Sequence, residues 1–316
     1  MNDLVAAESR APKAEPLKWF WHGRRAICYR APIKALRRIL PRFERRRAPR
    51  GDRHEIVLRS RLSADGGLVL GRVSREYSLI QHEDLLDSLL PVFAAEGHDL
   101  DSMHGELITT DVGERIVLSV ELPMYGTTPS DGFPLACRLR CLNSVDASTA
   151  LEAELPWFRQ ICSNGMFGWR GEPIRRVHRF GNVLESMQRR LVQRFRDLHG
   201  DQSYFSHLMN VAVSAGSLID LLDVFVARRW SRSEAARAYH ICTTGKDGHV
   251  ICEDAEAMPH ELIIHSTIHV PGACAPVRNL YHVGQALSWI AGQSMPLERR
   301  FSRMATIPEL LRHLLN

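Results

Sequence analysis

The chain has 316 residues, 45% hydrophobic and 24% charged, with 41 Lys plus Arg against 36 Asp plus Glu for a formal net charge of +5. These fractions belong to an ordinary globular protein and exclude a collagen-like, fully disordered or disulfide-scaffold chain. At roughly 100–200 residues per domain, the length suggests about two domains.

The charge is unevenly placed. Residues 10–54 hold 15 Lys or Arg against only Glu15, Glu44 and Asp52, a local excess of +12 that leaves the rest of the chain net acidic. The expected organisation is a basic, partly disordered N-terminal arm over 1–54, an α+β core over 55–200, and a mainly helical C-terminal region over 201–316 packed on the core. Trp19, Phe20 and Trp21 are followed at once by charge, so no secretory signal core is expected there. No run reaches the ~18 apolar residues of a membrane span, since even residues 218–227 are interrupted by Asp220 and Asp223. Seven scattered cysteines are an odd number and do not resemble a disulfide framework, which makes a reducing cytoplasm the expected compartment.

Within the arm, Ile33, Leu36, Ile39 and Leu40 recur at helical spacing between Pro32 and Pro41, with Lys34, Arg37 and Arg38 on the other face. The charge run from Arg42 to Arg53 has little to bury and is expected to be disordered alone. Ile56 and Leu58, then Leu68 and Leu70, flank the turn signal Ala64-Asp65-Gly66-Gly67 and predict a hairpin. Leu85, Leu86, Leu89, Leu90 and Phe93 predict a helix with Gly97 at its end. Strand-like runs follow at 106–110, 115–122, 135–142 and 150–157. In the third, Leu135, Cys137, Leu139 and Cys141 share one face and Arg138 and Arg140 the other, which predicts an antiparallel sheet with one wet face.

Val183, Leu184, Met187, Leu191, Phe195 and Leu198 predict a long amphipathic helix. Further helices are expected within 204–230 and 233–239, and strands within 241–270 around a turn at Gly245-Lys246-Asp247-Gly248. The chain is expected to end in one helix near 283–291 and another opened by the capping box Thr306-Ile307-Pro308-Glu309. The fold class is therefore α+β, an antiparallel sheet flanked by helices.

Four blocks carry a resemblance. Val73-Ser74-Arg75-Glu76-Tyr77-Ser78-Leu79-Ile80-Gln81-His82, Leu142-Asn143-Ser144-Val145-Asp146-Ala147-Ser148, Trp157-Phe158-Arg159-Gln160-Ile161-Cys162-Ser163-Asn164-Gly165 and Leu287-Ser288-Trp289-Ile290-Ala291 resemble the phage/plasmid-like protein family built on domain of unknown function 932. The resemblance runs from about residue 70 to the C-terminus. Its most specific positions here are Asn143, Ser144, Asp146, Ser148, Cys162, Ser163 and Asn164. Val145 and Ala147 stand where the family pattern carries His and Gly. The resemblance implies carriage on phages, plasmids or laterally transferred islands and no established biochemical activity.

Each block has a structural and a chemical reading. The Asn143-to-Ser148 block is either a hairpin turn, whose short polar side chains bind nearby backbone amides, or a polar site for a phosphate or base. Cys162 is either a structural thiol before an Asn-Gly turn or a nucleophile, for which His178 is the nearest base in sequence. Cys252, His265 and His269 approximate the spacing of a zinc finger. Cys242 is nine residues from Cys252 rather than two to four, however, and on a strand the two histidines would lie ~13 Å apart. Neither a metal nor a cofactor is expected, because no phosphate-binding loop, dinucleotide fingerprint, His-Glu-x-x-His or nucleophile elbow is present.

Nucleic acid is the leading partner. The arm interleaves Trp19, Phe20, Trp21, Tyr29 and Phe43 with Arg24, Arg25, Arg37, Arg38, Arg45, Arg46 and Arg47, pairing stacking faces with phosphate-neutralising charge. Arg138, Arg140, Arg175 and Arg176 extend the path. The leading expectation is a non-enzymatic accessory protein of a mobile element that binds nucleic acid, with single-stranded DNA favoured. A module that docks on host proteins and a cysteine- or zinc-dependent enzyme are the alternatives, and a homo-oligomer stays open.

Overall fold

The computed structural model describes residues 12–21, 24–49, 51–58, 67–129, 132–159, 166–167, 174–179, 181–251, 255–295 and 297–315; the side chains at 17–24, 159, 166–167, 199, 201–202 and 297–298 also lie outside the description. The elements form the expected α+β mixture of antiparallel sheets and helices, here numbered in chain order. Two compact units emerge. The first comprises Met1–Met124, Arg138–Leu155 and Pro173–Arg196, and the second Tyr125–Cys137, Pro156–Glu172 and Asp197–Asn316.

The basic segment is built into the first unit. Strand β1 (Ala14–Trp21) pairs with β2 (Arg24–Pro32), and β2 pairs antiparallel with β6 (His104–Thr110) from Ala26↔Thr110 to Pro32↔His104. The charge boundary at residue 54 is therefore not an edge of the sheet. The cause is a two-residue alternation inside the basic run: Ala26 and Cys28 are buried while Arg30 points to solvent. Helix α1 (Ile33–Ile39) lies between the two prolines as expected and buries Ile33 and Leu36.

A separate three-stranded antiparallel sheet follows, β3 (Phe43–Arg47), β4 (His54–Leu58) and β5 (Leu68–Val73). Its β4–β5 pair is the expected hairpin; turn residues 59–66 lie outside the described residues. Strand β3 falls in the stretch expected to be disordered alone. It is ordered by its ladder with β4 and by Phe43, which packs with Ile56, Val73, Tyr77 and Val145. Those partners come from distant sequence, so the local charge run gave no sign of them.

Helix α2 (His82–Ala95) buries Leu85, Leu86, Leu89, Val92 and Phe93, and Gly97 follows with φ of 82°. The main sheet continues β2-β6-β7-β8 through β7 (Arg115–Thr127) and β8 (Leu135–Ser144), with β9 (Leu151–Glu154) paired to β8 and β12 (Ile174–Arg176) to β9. Leu135, Cys137, Leu139 and Cys141 of β8 are all buried, as the alternation predicts. The opposite face is not wet at Arg140, which is only 5% exposed because Glu154 of β9 lies directly across the ladder and pairs with it. Helix α3 (Val183–Asn210) carries the expected stripe, with Met187, Leu191, Phe195 and Leu198 buried.

In the second unit, the Leu135–Cys137 end of β8 pairs with β10 (Trp157–Arg159), and β10 pairs with β11 (Met166–Phe167). Buried Trp157 meets Phe205 edge-on at 5.6 Å, and Phe205 meets Tyr281 at 6.3 Å. The remainder is mainly helical: α4 (Ala215–Asp220) runs through a π-helical turn (Leu221–Val226) into α5 (Ala227–Arg229), then come α6 (Arg232–Thr244), α7 (Leu280–Gly292) and α8 (Leu297–Arg312). Strands β13 (Lys246–Val250) and β14 (Ile264–His269) form a two-stranded ribbon.

Two local expectations are corrected here. Gly245-Lys246-Asp247-Gly248 is not a hairpin turn: Gly245, at φ of 73°, ends α6 in the left-handed conformation that glycine adopts cheaply, and Lys246 already begins β13. Thr306 does not open a helix but lies inside α8. Its hydroxyl donates to the Arg303 carbonyl at 2.8 Å and accepts from Trp230 Nε1 at 3.0 Å, an inward use of Thr that the capping-box pattern cannot distinguish.

Candidate functional site

The Asn143-to-Ser148 block makes the connection from β8 to β9. Ser144 Oγ accepts from the Thr149 amide at 3.0 Å and donates to the Thr149 carbonyl at 3.1 Å. Asp146 Oδ1 accepts from the Ser148 amide at 3.1 Å and from its hydroxyl at 2.5 Å. Arg115, at the start of β7, clamps the loop by donating from Nη2 to Asp146 Oδ2 at 2.8 Å and from Nε to Ser148 Oγ at 2.7 Å. The Val145 amide donates to the Glu114 carbonyl at 2.9 Å.

These contacts have the form of the turn reading. The Arg115 and Asp146 side chains are only 11% and 8% exposed and are turned to each other. Ala147 adopts φ of 64°, which accounts for glycine at the corresponding place in the resembled pattern. Val145, where that pattern has His, is fully buried against Phe43, Ile56, Val73 and Tyr77. Strand β5 passes so close that a Cβ on Gly71 would sit 3.1 Å from the Asp146 carbonyl oxygen.

Beneath the turn lies a buried polar cluster. His82 Nε2 donates to the Gly113 carbonyl at 2.8 Å, which fixes the tautomer and leaves Nδ1 to accept from Asn143 Nδ2 at 3.0 Å. Asn143 Nδ2 also donates to the Ile80 carbonyl at 3.2 Å, while Asn143 Oδ1 is buried with no hydrogen-bond partner among the described residues. Burial pushes the His82 imidazole down to about 4, against the opposing pull of the Gly113 carbonyl. His178 stacks on Tyr77 with ring centres 5.2 Å apart and planes 5° from parallel, and burial lowers its pKa too. The Tyr77 hydroxyl donates to the Ser144 carbonyl at 3.2 Å. Both imidazoles are therefore neutral at pH 7. Tyr77 and His82 were within the first resembled block but carried no assigned role, because neither residue type announces which distant loop it will face.

Cys162, Ser163, Asn164 and Cys252 lie outside the described residues. His265 and His269 both lie on β14, four residues and hence about 13 Å apart, and among the described residues no group of three His, Cys, Asp or Glu is arranged to hold a metal.

The candidate arginines separate into two classes. Arg37 donates to Asp87 from two nitrogens at 2.7 and 2.8 Å and also pairs with Glu83; Arg46 pairs with buried Glu55 at 3.2 Å; Arg138 pairs with Glu121 and Arg140 with Glu154. Arg175 meets Glu152 at 3.1 Å, and Arg176 donates to Ser186 Oγ at 3.0 Å. Arg45 is half-buried and donates to the Arg75 carbonyl. Arg25, Arg38 and Arg47 are exposed, with no side-chain partner among the described residues. The side chains of Trp19, Trp21 and Arg24 lie outside the description, and Phe43 is withdrawn as a stacking face because it is buried.

Sequence alone missed a convergence on the three-stranded sheet. Arg47 stands directly opposite His54 in the β3–β4 ladder. Burial, then the positive charges of Arg45, Arg75 and Arg47, lower the His54 pKa. Exposed Arg53 adjoins it in sequence and has no side-chain partner among the described residues, while Arg75 meets Asp52 at 3.1 Å.

Residues 69–178 match the family model described as Domain of unknown function (DUF932). No curated protein and no solved structure matches the chain. The matched range contains Tyr77, His82, Arg115, Asn143, Asp146, Ser148 and His178, the whole of the buried network and its clamp, whereas β3, β4 and the 287–291 block of α7 fall outside it. The chain is thus similar to the domain of unknown function DUF932 over residues 69–178, about a third of its length.

Proposed function

We propose that the protein binds nucleic acid, without catalysis, through the basic surface of the β3–β4–β5 sheet. The observation that carries this reading is the arginine-rich strand β3, in which Arg47 stands opposite His54 and Arg45 donates to the Arg75 carbonyl, with Arg53 next to His54 in sequence and Asp52 as the carboxylate paired to Arg75. Gathering like charges costs energy in the free protein, and a phosphate backbone relieves that cost while releasing counterions. Arg37, Arg46 and Arg140 take no direct part, since each is engaged by a carboxylate. Exposed Arg47 and Arg53 replace them as phosphate contacts on this sheet. The resemblance to phage/plasmid-like proteins supports a role as an accessory protein of a mobile element. The DUF932 segment serves as the scaffold: its turn and imidazole cluster hold β5 and the Tyr77 region against β3.

The test is fluorescence anisotropy of labelled single- and double-stranded oligonucleotides titrated at increasing salt. Affinity should fall linearly on a log–log plot, and the slope should shrink by about 1 for each phosphate contact removed by Arg47→Ala or Arg53→Ala. Arg138→Ala should leave the slope unchanged. Absence of binding at low salt, or equal slopes for all four proteins, would overturn the reading. A complex that forms instead with a protein and survives nuclease treatment would replace it with the docking alternative.

A further inference from the structure

The β13–β14 ribbon of the second unit carries a histidine pair. Sequence spacing couples His265 with His269, but the ladder couples it with His249. His249 on β13 stands directly opposite His265 on β14, both are exposed, and their ring centres lie 5.2 Å apart with the planes at 60°. Neither ring has a hydrogen-bond partner among the described residues.

Residues opposite each other in an antiparallel ladder have Cβ atoms about 4.5–5.5 Å apart, close enough for two short imidazoles to meet on one ion. His269, by contrast, lies further along the same strand and faces Lys246. The ring separation fits a shared ion. With Zn–N bonds of about 2.0–2.1 Å and about 1.1 Å from each nitrogen to its ring centre, two imidazoles at a tetrahedral angle place their centres about 5.2 Å apart. A right angle, as in square-planar or octahedral complexes, would bring them to about 4.5 Å.

The pair is braced from both strands. Asp247, two residues before His249, accepts from Arg237 of α6 at 2.9 and 2.6 Å and from Trp289 Nε1 of α7 at 2.8 Å. Ser266, next to His265, is hydrogen-bonded through Oγ to His240 Nε2 of α6. Between these anchors, a Cβ on Gly248 would lie 2.0 Å from the His265 carbonyl oxygen, so glycine is what lets β13 approach β14 where the register shifts. The ladder continues past the pair through Val250↔Ile264 and the Ile251 amide, which donates to the Ile263 carbonyl at 3.0 Å. Both imidazoles therefore sit inside an anchored ribbon, and an ion has little backbone left to order.

We propose that His249 and His265 form a binding site for a divalent transition-metal ion of the zinc type. Imidazole nitrogens suit such an ion, whereas magnesium and calcium take oxygen ligands. Two histidines fill half of a tetrahedral shell, so the remaining positions face solvent and take water or an exchangeable anion.

The experiment is isothermal titration calorimetry of zinc chloride into the full chain, in a non-coordinating buffer, for wild type, His249→Ala, His265→Ala and His269→Ala. Wild type and His269→Ala should bind zinc with equal affinity. Losing even an outer-shell partner of a metal ligand costs about 10–100-fold in affinity, so losing His249 or His265 should weaken binding at least about tenfold. Magnesium chloride should give no binding heat at the same concentrations. Diethyl pyrocarbonate labelling of the wild type, read by peptide mass spectrometry, is independent of any substitution: zinc should slow modification of His249 and His265 together and leave that of His269 unchanged. Zinc affinity unaltered by either His249→Ala or His265→Ala, protection of one member alone or of neither, or magnesium binding as tightly as zinc would overturn the proposal.

Discussion

The His82 imidazole makes the first unit sensitive to acid in a way that can be worked out. In the folded chain it is neutral with a fixed tautomer, donating to Gly113 and accepting from Asn143, and burial holds it down to about 4. In the unfolded chain it has the ordinary value near 6.5. As pH falls through 6.5 the unfolded state takes up the proton first, so stability is complete above that point and is lost progressively down to about 4. At roughly 1.4 kcal/mol per pH unit, the gap corresponds to about 3 kcal/mol lost across the window. His178, His98 and His240, also lowered by burial, act in the same direction. The contribution of His82 is isolated by His82→Gln, whose amide can still donate to the Gly113 carbonyl but does not titrate. Urea denaturation by far-UV circular dichroism from pH 7.5 to pH 4 should show a lower starting stability for the variant and a loss on acidification smaller than wild type by about 3 kcal/mol. If both proteins lose the same stability over that range, His82 is not held neutral by its surroundings, and the cluster as described is wrong.

Other substitutions probe the turn and the ladder. Ala147→Gly removes a left-handed alanine that costs roughly 1–2 kcal/mol but frees the unfolded chain by about 0.5–1 kcal/mol, so a net gain of up to about 1 kcal/mol should appear as a rise in Tm of a few degrees in a thermal melt. Arg140→Ala leaves Glu154 buried and unmatched across the β8–β9 ladder and should cost about 3–5 kcal/mol, whereas Arg140→Met with Glu154→Met should recover most of it in urea denaturation. A cost below about 1 kcal/mol for the single change would place the pair at the solvated surface.

Periodicity read well wherever a segment carried its own core stripe. Helices α2 and α3, the β4–β5 hairpin and the alternation of β8 were all legible, because side-chain spacing alone determines which face is apolar. Strands β2 and β3 were harder. Each contributes only one or two buried residues, Ala26 and Cys28 or Phe43, within a run dominated by arginine, and their partners arrive dozens of residues later. Charge density described their exposed faces faithfully and concealed the buried ones. The Thr306 and Gly245 patterns failed for a different reason, since one local hydrogen-bonding repertoire serves both helix ends and helix interiors.

The same division governs the candidate sites. The sequence by itself determined the α+β class, the excess of positive charge in residues 10–54 and the DUF932 resemblance, because composition and short motifs survive without coordinates. Only the tertiary structure decided which arginines are engaged: Arg37, Arg46 and Arg140 look the same as Arg47 in the sequence, yet each meets a carboxylate from another element. It also brought His82 and Asn143 into hydrogen-bond contact and His178 onto Tyr77, from positions up to 101 residues apart. Charge is a property of a residue, but whether that charge is neutralised, buried or offered to a ligand depends on what the fold places within a few ångströms of it.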